Sequence, residues 1–203
     1  MSEVVGGVEW SVATRPKDGH TDSGDFACVR DLDGGVLVVV VDVLGHGSDA
    51  AKAGRRFLDV IEAEPIDDLS ALFARCDALL RSDRGAVMTA VLMRTDEQRI
   101  RYLGVGNVQA VVVRGDNRAS REWLLIRSGV VGGGLGLLEA RTLPVRPGDV
   151  VVLATDGIHP AYASAIDPLQ SVDRIAQTVL DTHATGKDDA LVLAARFAAI
   201  PVS

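Results

Sequence analysis

The sequence predicts an α+β fold in which antiparallel sheets pack together and helices lie on the outside. Three observations predict it. A nearly pure β-branched run, Val36 to Val41, needs cover on both faces and so belongs in the middle of a sheet. Short apolar stretches joined by turn residues follow one another from Ala86 to Arg127, which is a meander rather than a series of βαβ units. Two helical stretches stand in succession between these regions, from Ser48 to about Arg81, instead of one after every strand.

Taken in order, Val4 to Ala13 reads as a strand with weak alternation, and a polar loop runs from Arg15 to Gly24. Asp25 to Arg30 resumes an extended pattern, and Asp33-Gly34-Gly35 signals a hairpin into Val36 to Val41. Gly45-His46-Gly47 then makes a tight turn. Ser48 is a good N-cap for a helix through about Ala63, with Ala50, Ala53, Phe57, Val60 and Ile61 as its apolar stripe and Pro65 closing it. A second helix, from about Asp67 to Arg81, carries Leu69, Leu72, Phe73, Cys76, Leu79 and Leu80 at helical spacing. Ala86 to Arg94, Ile100 to Leu103, Val108 to Val113 and Trp123 to Arg127 read as strands. They are separated by Asp96-Glu97-Gln98, Gly104 to Asn107 and Gly115-Asp116-Asn117. After a glycine-rich stretch, Gly129 to Gly136, Pro147-Gly148-Asp149 turns into a strand from Val150 to Ala154. A helix from about Pro168 to Thr182 and a strand from Ala190 to Phe197 complete the pattern. No repeat or linker divides the 203 residues, so one domain, 1–203, is expected.

Composition narrows the function. Hydrophobic residues make up 47% and charged residues 24%, an ordinary globular balance, while aromatics at 4% leave the core to Val, Leu, Ala and Ile. A net charge of -7 repels phosphate backbones and argues against nucleic-acid binding. An acidic surface aids solubility, and clustered carboxylates also attract divalent cations. Cys28 and Cys76 form no CxxC pair and no zinc-like cluster with the four histidines, so buried thiols are expected. No signal peptide pattern opens the chain and no apolar run is long enough for a bilayer, so a reducing cytoplasm, away from membranes, is the expected compartment.

One feature recurs. Asp42 follows Val36 to Val41, Asp156 follows Val150 to Thr155, Asp188 and Asp189 precede Ala190 to Ala195, and Asp25 opens a strand after Gly24. Asp-Gly is a common turn pair and Asp caps helices, so any one of these alone reads as a turn or a cap. Several together, at the ends of central strands, weaken that reading. Carboxylates gathered at one edge repel one another unless protonated or neutralised. Hard cations such as Mg²⁺ or Mn²⁺ take oxygen ligands, and a pair of them can activate a water against a phosphoryl group.

The motifs Ser23-Gly24-Asp25, Val41-Asp42-Val43-Leu44-Gly45-His46-Gly47, Gly104-Val105-Gly106-Asn107, Thr155-Asp156-Gly157 and Gly186-Lys187-Asp188-Asp189-Ala190, in that order, cover nearly the whole chain. So arranged, the chain resembles the PPM-type metal-dependent protein phosphatases, in particular the SpoIIE-like bacterial branch with its free-standing RsbX-type members. The resemblance implies a four-layer α/β/β/α sandwich of two antiparallel sheets flanked by helices. It implies two divalent cations, Mn²⁺ or Mg²⁺, with Asp42 bridging them, the Val43 carbonyl on one, and Asp156 and Asp188 on the other. Asp25 would orient a metal-bound water or touch a metal directly. Asp188 is favoured over Asp189 because the first acid of this motif usually ligates. Asp42 and Asp156 would carry catalysis, a direct hydrolysis with no phosphoenzyme. The implied substrates are phosphoserine or phosphothreonine on STAS-type or stressosome proteins.

Several matching positions have plainer readings. Asn107 is read as structural, Gly129 to Gly134 as either a site loop or a flexible one, and His46 as fixing its own turn or donating a proton. His20, His159 and His183 show no partnering pattern. Many members bind the substrate phosphate with an upstream arginine. Arg15 and Lys17 lie in that region without matching its spacing. Two other functions fit the same residues: a binding module with little or no catalysis, and a hydrolase of small phosphoesters.

Overall fold

The computed structural model describes residues 2–45, 47–63, 66, 68–81, 84–116 and 120–198. His46, Pro65, Asp67 and Asn117, to which the sequence assigns a turn, a helix end, a helix start and a loop, lie outside them.

Among the described residues, eleven strands form two antiparallel sheets. They are β1 (Glu3–Val5), β2 (Val8–Arg15), β3 (Asp25–Leu32), β4 (Gly35–Val43), β5 (Ala86–Arg94), β6 (Arg99–Val105), β7 (Gln109–Val113), β8 (Arg121–Trp123), β9 (Arg141–Pro144), β10 (Val150–Ala154) and β11 (Ala190–Phe197). One sheet has the order β1-β2-β11-β10-β7-β8 and the other β3-β4-β5-β6-β9. Helices α1 (Ser48–Ala63) and α2 (Leu69–Leu80) accompany the five-stranded sheet, and α3 (Val172–His183) accompanies the six-stranded one.

The period-two alternation of strands builds the layers. On β4, Leu37, Val39 and Val41 join Phe57, Ile61 and Phe73 of α1 and α2 in one core. Val36, Val38 and Val40 face the other way, into a core shared with Val151, Leu153, Leu191 and Leu193 of the opposite sheet. On β10, Val150, Val152 and Ala154 turn from that inter-sheet core toward Ile175, Ala176 and Val179 of α3. Three cores between four layers make the expected α/β/β/α sandwich. Cys28 and Cys76 are free and buried. No helix among the described residues is long and apolar enough to cross a membrane.

Departures from the sequence reading have local causes. The stretch Val4 to Ala13 is two strands, because Gly6 and Gly7 at φ 50° and 78° form a two-residue hairpin loop between Val5 and Val8. The strand expected over Trp123 to Arg127 ends at Trp123. Beyond it the backbone leaves the six-stranded sheet and bonds across to Gly104 and Gly106 of the other sheet through Arg127. Strand β9 was not foreseen: it is a short edge strand, mostly exposed and ending in proline, and so carries little period-two signal. Helix α3 begins at Val172 rather than Pro168, and a 3-10 helix, Pro160–Ala165, precedes it. Helix α2 begins at Leu69, where the Asp68 carboxylate caps the Ser70 N–H at 3.0 Å.

Candidate metal-binding active site

The same alternation explains where the aspartates go. Asp42 follows Val36, Val38 and Val40 in parity, so it points to the inter-sheet side at the end of β4. Asp25 is its direct cross-strand partner. Like charges directly opposite each other on neighbouring strands repel. Asp25 is buried at 6% exposure. It accepts a 2.8 Å bond from the Thr155 hydroxyl, which in turn accepts the Leu191 N–H at 2.9 Å. One carboxylate thereby ties β3 of one sheet to β10 and β11 of the other.

Asp42, Asp156 and Asp188 line one cavity of about 380 Å³, together with Leu44, Gly45 and Asn107. Asp156 stands on the turn after β10. A Cβ on Gly157 would lie 2.0 Å from the Asp189 carbonyl, so only glycine lets this turn close onto the start of β11. Asn107, read from sequence as structural, is also in the cavity, and its Nδ2 donates to Asp156 Oδ2 at 2.8 Å. Its place in a Gly-x-Gly-Asn turn at the end of a central strand was the available signal.

Adjacent acids at the start of β11 have opposite surroundings. Asp189 shares the parity of Leu191 and Leu193 and is buried at 4% exposure. Its two oxygens accept the Lys17 N–H at 2.8 Å and the Gly24 N–H at 2.7 Å. Asp188 is exposed and faces the cavity. Of the remaining expected ligands, Asp25 lies beneath the cavity rather than in its lining. Val43 is buried outside the lining too, with its carbonyl 3.2 Å from the position a Cβ on Gly24 would take. Arg15 is turned away and paired with Asp181 of α3 at 2.7 Å. His46 is outside the described residues.

Electrostatics mark the cluster as short of positive charge. Burial, then the neighbouring Asp42, push the Asp25 carboxyl up to about 8. Burial, then Asp156 and Asp188, push Asp42 up to about 7. Asp156 is raised by burial and by Asp188, against the opposing bond from Asn107. No Lys, Arg or His stands among the described lining residues. No three His, Cys, Asp or Glu among the described residues already have the close spacing of a finished metal shell. The donors line an open cavity instead of converging on a point. Oxygen-only donors, mutual repulsion and room for bound water suit hard divalent cations, which keep several waters. The residues therefore fit such ions.

Comparison with known proteins agrees with this picture. The family described as Stage II sporulation protein E (SpoIIE) is matched over residues 32–198. The chain is 25% identical to the phosphoserine phosphatase RsbX of Bacillus subtilis (strain 168) over 174 residues, 85% of this chain and 86% of that protein. A crystal structure of RsbX in complex with magnesium superposes with a TM-score of 0.86 at 23% identity, covering 98% of this chain and 99% of that one. A structure from work on the bacterial stressosome as a modular system adapted to control secondary messenger signalling gives 0.83 at 22%, covering 93% and 99%. The catalytic domain of the serine threonine protein phosphatase PstP in complex with two manganese ions gives 0.73 at 15%, covering 95% and 99%. These structural likenesses establish the fold.

Proposed function

This chain belongs to the SpoIIE family, and from that premise we propose that it is a metal-dependent phosphatase acting on phosphoserine or phosphothreonine in bacterial stress-signalling proteins. The observation that carries the proposal is the single cavity lined by Asp42, Asp156 and Asp188, from three separate strand ends, with no described cation among its lining residues. The finer reading of the substrate is a STAS-domain or stressosome protein, supported by the likeness to RsbX and to the stressosome-related structure. Free buried thiols suit a reducing cytoplasm.

Two divalent cations, Mn²⁺ or Mg²⁺, bound in this cavity supply Lewis-acid activation of water and neutralise phosphoryl charge. Asp42 would hold both, being cross-strand partner of buried Asp25 and close enough to Asp156 and Asp188 for them to raise its pKa. Asp156 and Asp188 would hold one cation at the cavity they share with Asp42. Asn107 fixes one Asp156 oxygen and leaves the other for coordination. The Val43 carbonyl is the proposed backbone ligand. Asp25, held by the Thr155 hydroxyl, would orient a metal-bound water or touch a metal directly. Asp189 holds the Lys17 and Gly24 backbones in place and so positions Asp25, the residue after Gly24. The chain's own groups thus act by placement and charge stabilisation.

The test is phosphate release from a phosphoserine-bearing STAS protein in Mn²⁺, with Asp42→Asn and Asp156→Asn alongside. Both variants are expected to lose at least about 100-fold in kcat, the scale of removing a principal electrostatic stabiliser. Wild-type rates in either variant would contradict the metal mechanism. Release from p-nitrophenyl phosphate but from no phosphoprotein would point to a small-phosphoester hydrolase instead.

A further inference from the structure

A phosphate monoester enters this site as an anion, yet the described lining residues include three aspartates and no Lys, Arg or His. The upstream cations do not supply the missing charge from where the sequence put them. Neither Arg15 nor Lys17 is among the described lining residues, and Arg15 is paired with Asp181 on α3. Another arginine is held at the opposite rim. The Gly85 carbonyl accepts the Leu44 N–H at 2.9 Å, which pins the chain entering β5 against the Leu44–Gly45 wall. Arg84 Nη1 then lies 3.5 Å from the Leu44 carbonyl oxygen. A Cβ on Gly45 would stand 2.3 Å from that same nitrogen, and Gly45 also has φ +98°. Leu44 and Gly45 both line the cavity. Glycine at position 45 is therefore what lets a guanidinium rest on the cavity wall. The guanidinium also pairs with exposed Asp49 at 3.9 Å.

We propose that Arg84 is the substrate-phosphate residue of this site, its guanidinium turning from the Gly45 rim to hold two non-bridging oxygens of the phosphoryl group. The planar fork of arginine matches a phosphate bidentately, which a lysine cannot reproduce. The proposal rests on the phosphatase reading for its catalytic consequence. It stands apart from that reading in one respect: Arg84 belongs to the loop before β5, a different segment of the chain from those that carry Asp42, Asp156 and Asp188.

The test uses the full chain in Mn²⁺ with Arg84→Ala, Arg84→Gln and Arg84→Lys, each checked for native circular dichroism. With p-nitrophenyl phosphate, Arg84→Ala and Arg84→Gln are expected to raise KM about tenfold while kcat changes less than about threefold, the pattern of lost ground-state binding. Inhibition by inorganic phosphate should weaken by the same factor, and Arg84→Lys should recover part of it. KM and phosphate inhibition within about twofold of wild type in both Arg84→Ala and Arg84→Gln would overturn the assignment. Calorimetric titration with inorganic phosphate separates the two claims. Phosphate binding that Arg84→Ala weakens in a wild-type protein without hydrolytic activity would refute the phosphatase and keep the anion site. Binding indifferent to the substitution would refute the anion site alone.

Discussion

Asp77 shows how much one buried carboxylate can organise. It sits on α2 at 3% exposure, and Oδ1 accepts the N–H groups of Gly132 and Gly134 at 2.8 and 3.1 Å. Oδ2 accepts Leu135 N–H at 3.1 Å and faces Arg81 at 3.4 Å. Those loop residues continue directly from Ser128 and Gly129 in the cavity wall. The sequence reading left this loop between a site element and a flexible one, because nothing in a run of glycines names the side chain 55 residues upstream that holds it. The loop's hydrogen bonds, opposing the effect of burial, hold the Asp77 carboxyl below the usual carboxylate range. A group with a lowered folded pKa stabilises the fold fully above its unfolded value, about 4, and loses that contribution as pH falls through the folded one. Asp77→Asn keeps the volume but offers one acceptor oxygen, and should cost about 1–3 kcal/mol near neutral pH, the penalty of leaving buried N–H groups unpaired. Urea unfolding at pH 7 and pH 3 checks it. The gap between wild type and variant should shrink at the lower pH, and a constant gap would show that the charge contributes nothing.

At the scale of elements, α1 meets β3 through a glycine. A Cβ on Gly54 would lie 1.8 Å from one ring carbon of Phe26 and 2.2 Å from the next. Phe26 directly follows Asp25 on β3, so this contact sets how closely the helix lies against the strand that carries the buried acid. In an exposed helix interior Gly→Ala gains about 1 kcal/mol of propensity. Here the added methyl must displace an aromatic ring, an overpacking cost of about 1–3 kcal/mol, so the clash should win. Gly54→Ala is expected to lower the urea midpoint; an unchanged or raised midpoint would mean that Phe26 moves aside freely. The helix itself was legible, since its apolar stripe repeats at 3.6 residues and Gly54, four residues after Ala50, falls on that buried face. The reason for the glycine was not, because it depends on a strand more than twenty positions earlier. The same division holds elsewhere. Strands buried on both faces, such as β4, β5 and β11, announce themselves by apolar runs. Edge strand β9 and the crossover after Trp123 depend on tertiary pairing and left no local pattern. Asp42, Asp156 and Asp188 were legible because strand ends can be read from where apolar runs stop. The bond from Asn107 and the inward turn of Asp189 required the second sheet to be in place.

For the whole molecule, the site opposes the fold that builds it. The β3–β4 pairing sets Asp25 and Asp42 opposite each other within one sheet, and the packing of the second sheet brings Asp156 and Asp188 close enough to raise Asp42. Without cations this repulsion is a standing cost, and the three cores on either side of the sheets must outweigh it. A cation that binds only the folded chain reverses the sign, stabilising it by mass action as its concentration passes the dissociation constant. Asp42→Asn separates the two effects, because it removes one half-buried negative charge while keeping the side chain's shape. In EDTA the variant should therefore melt above wild type by about 2–4 °C, the shift that about 1 kcal/mol gives in a chain of this size. In Mn²⁺ the wild type should gain and the variant should gain little, so the order reverses while activity stays with the less stable apo protein. Stability set against activity at one residue is the signature expected of a site held in a strained, charge-deficient state. Thermal scans in EDTA and in Mn²⁺ decide the matter: a variant that melts below wild type without metal would mean that Asp42 serves the fold as well as the cations.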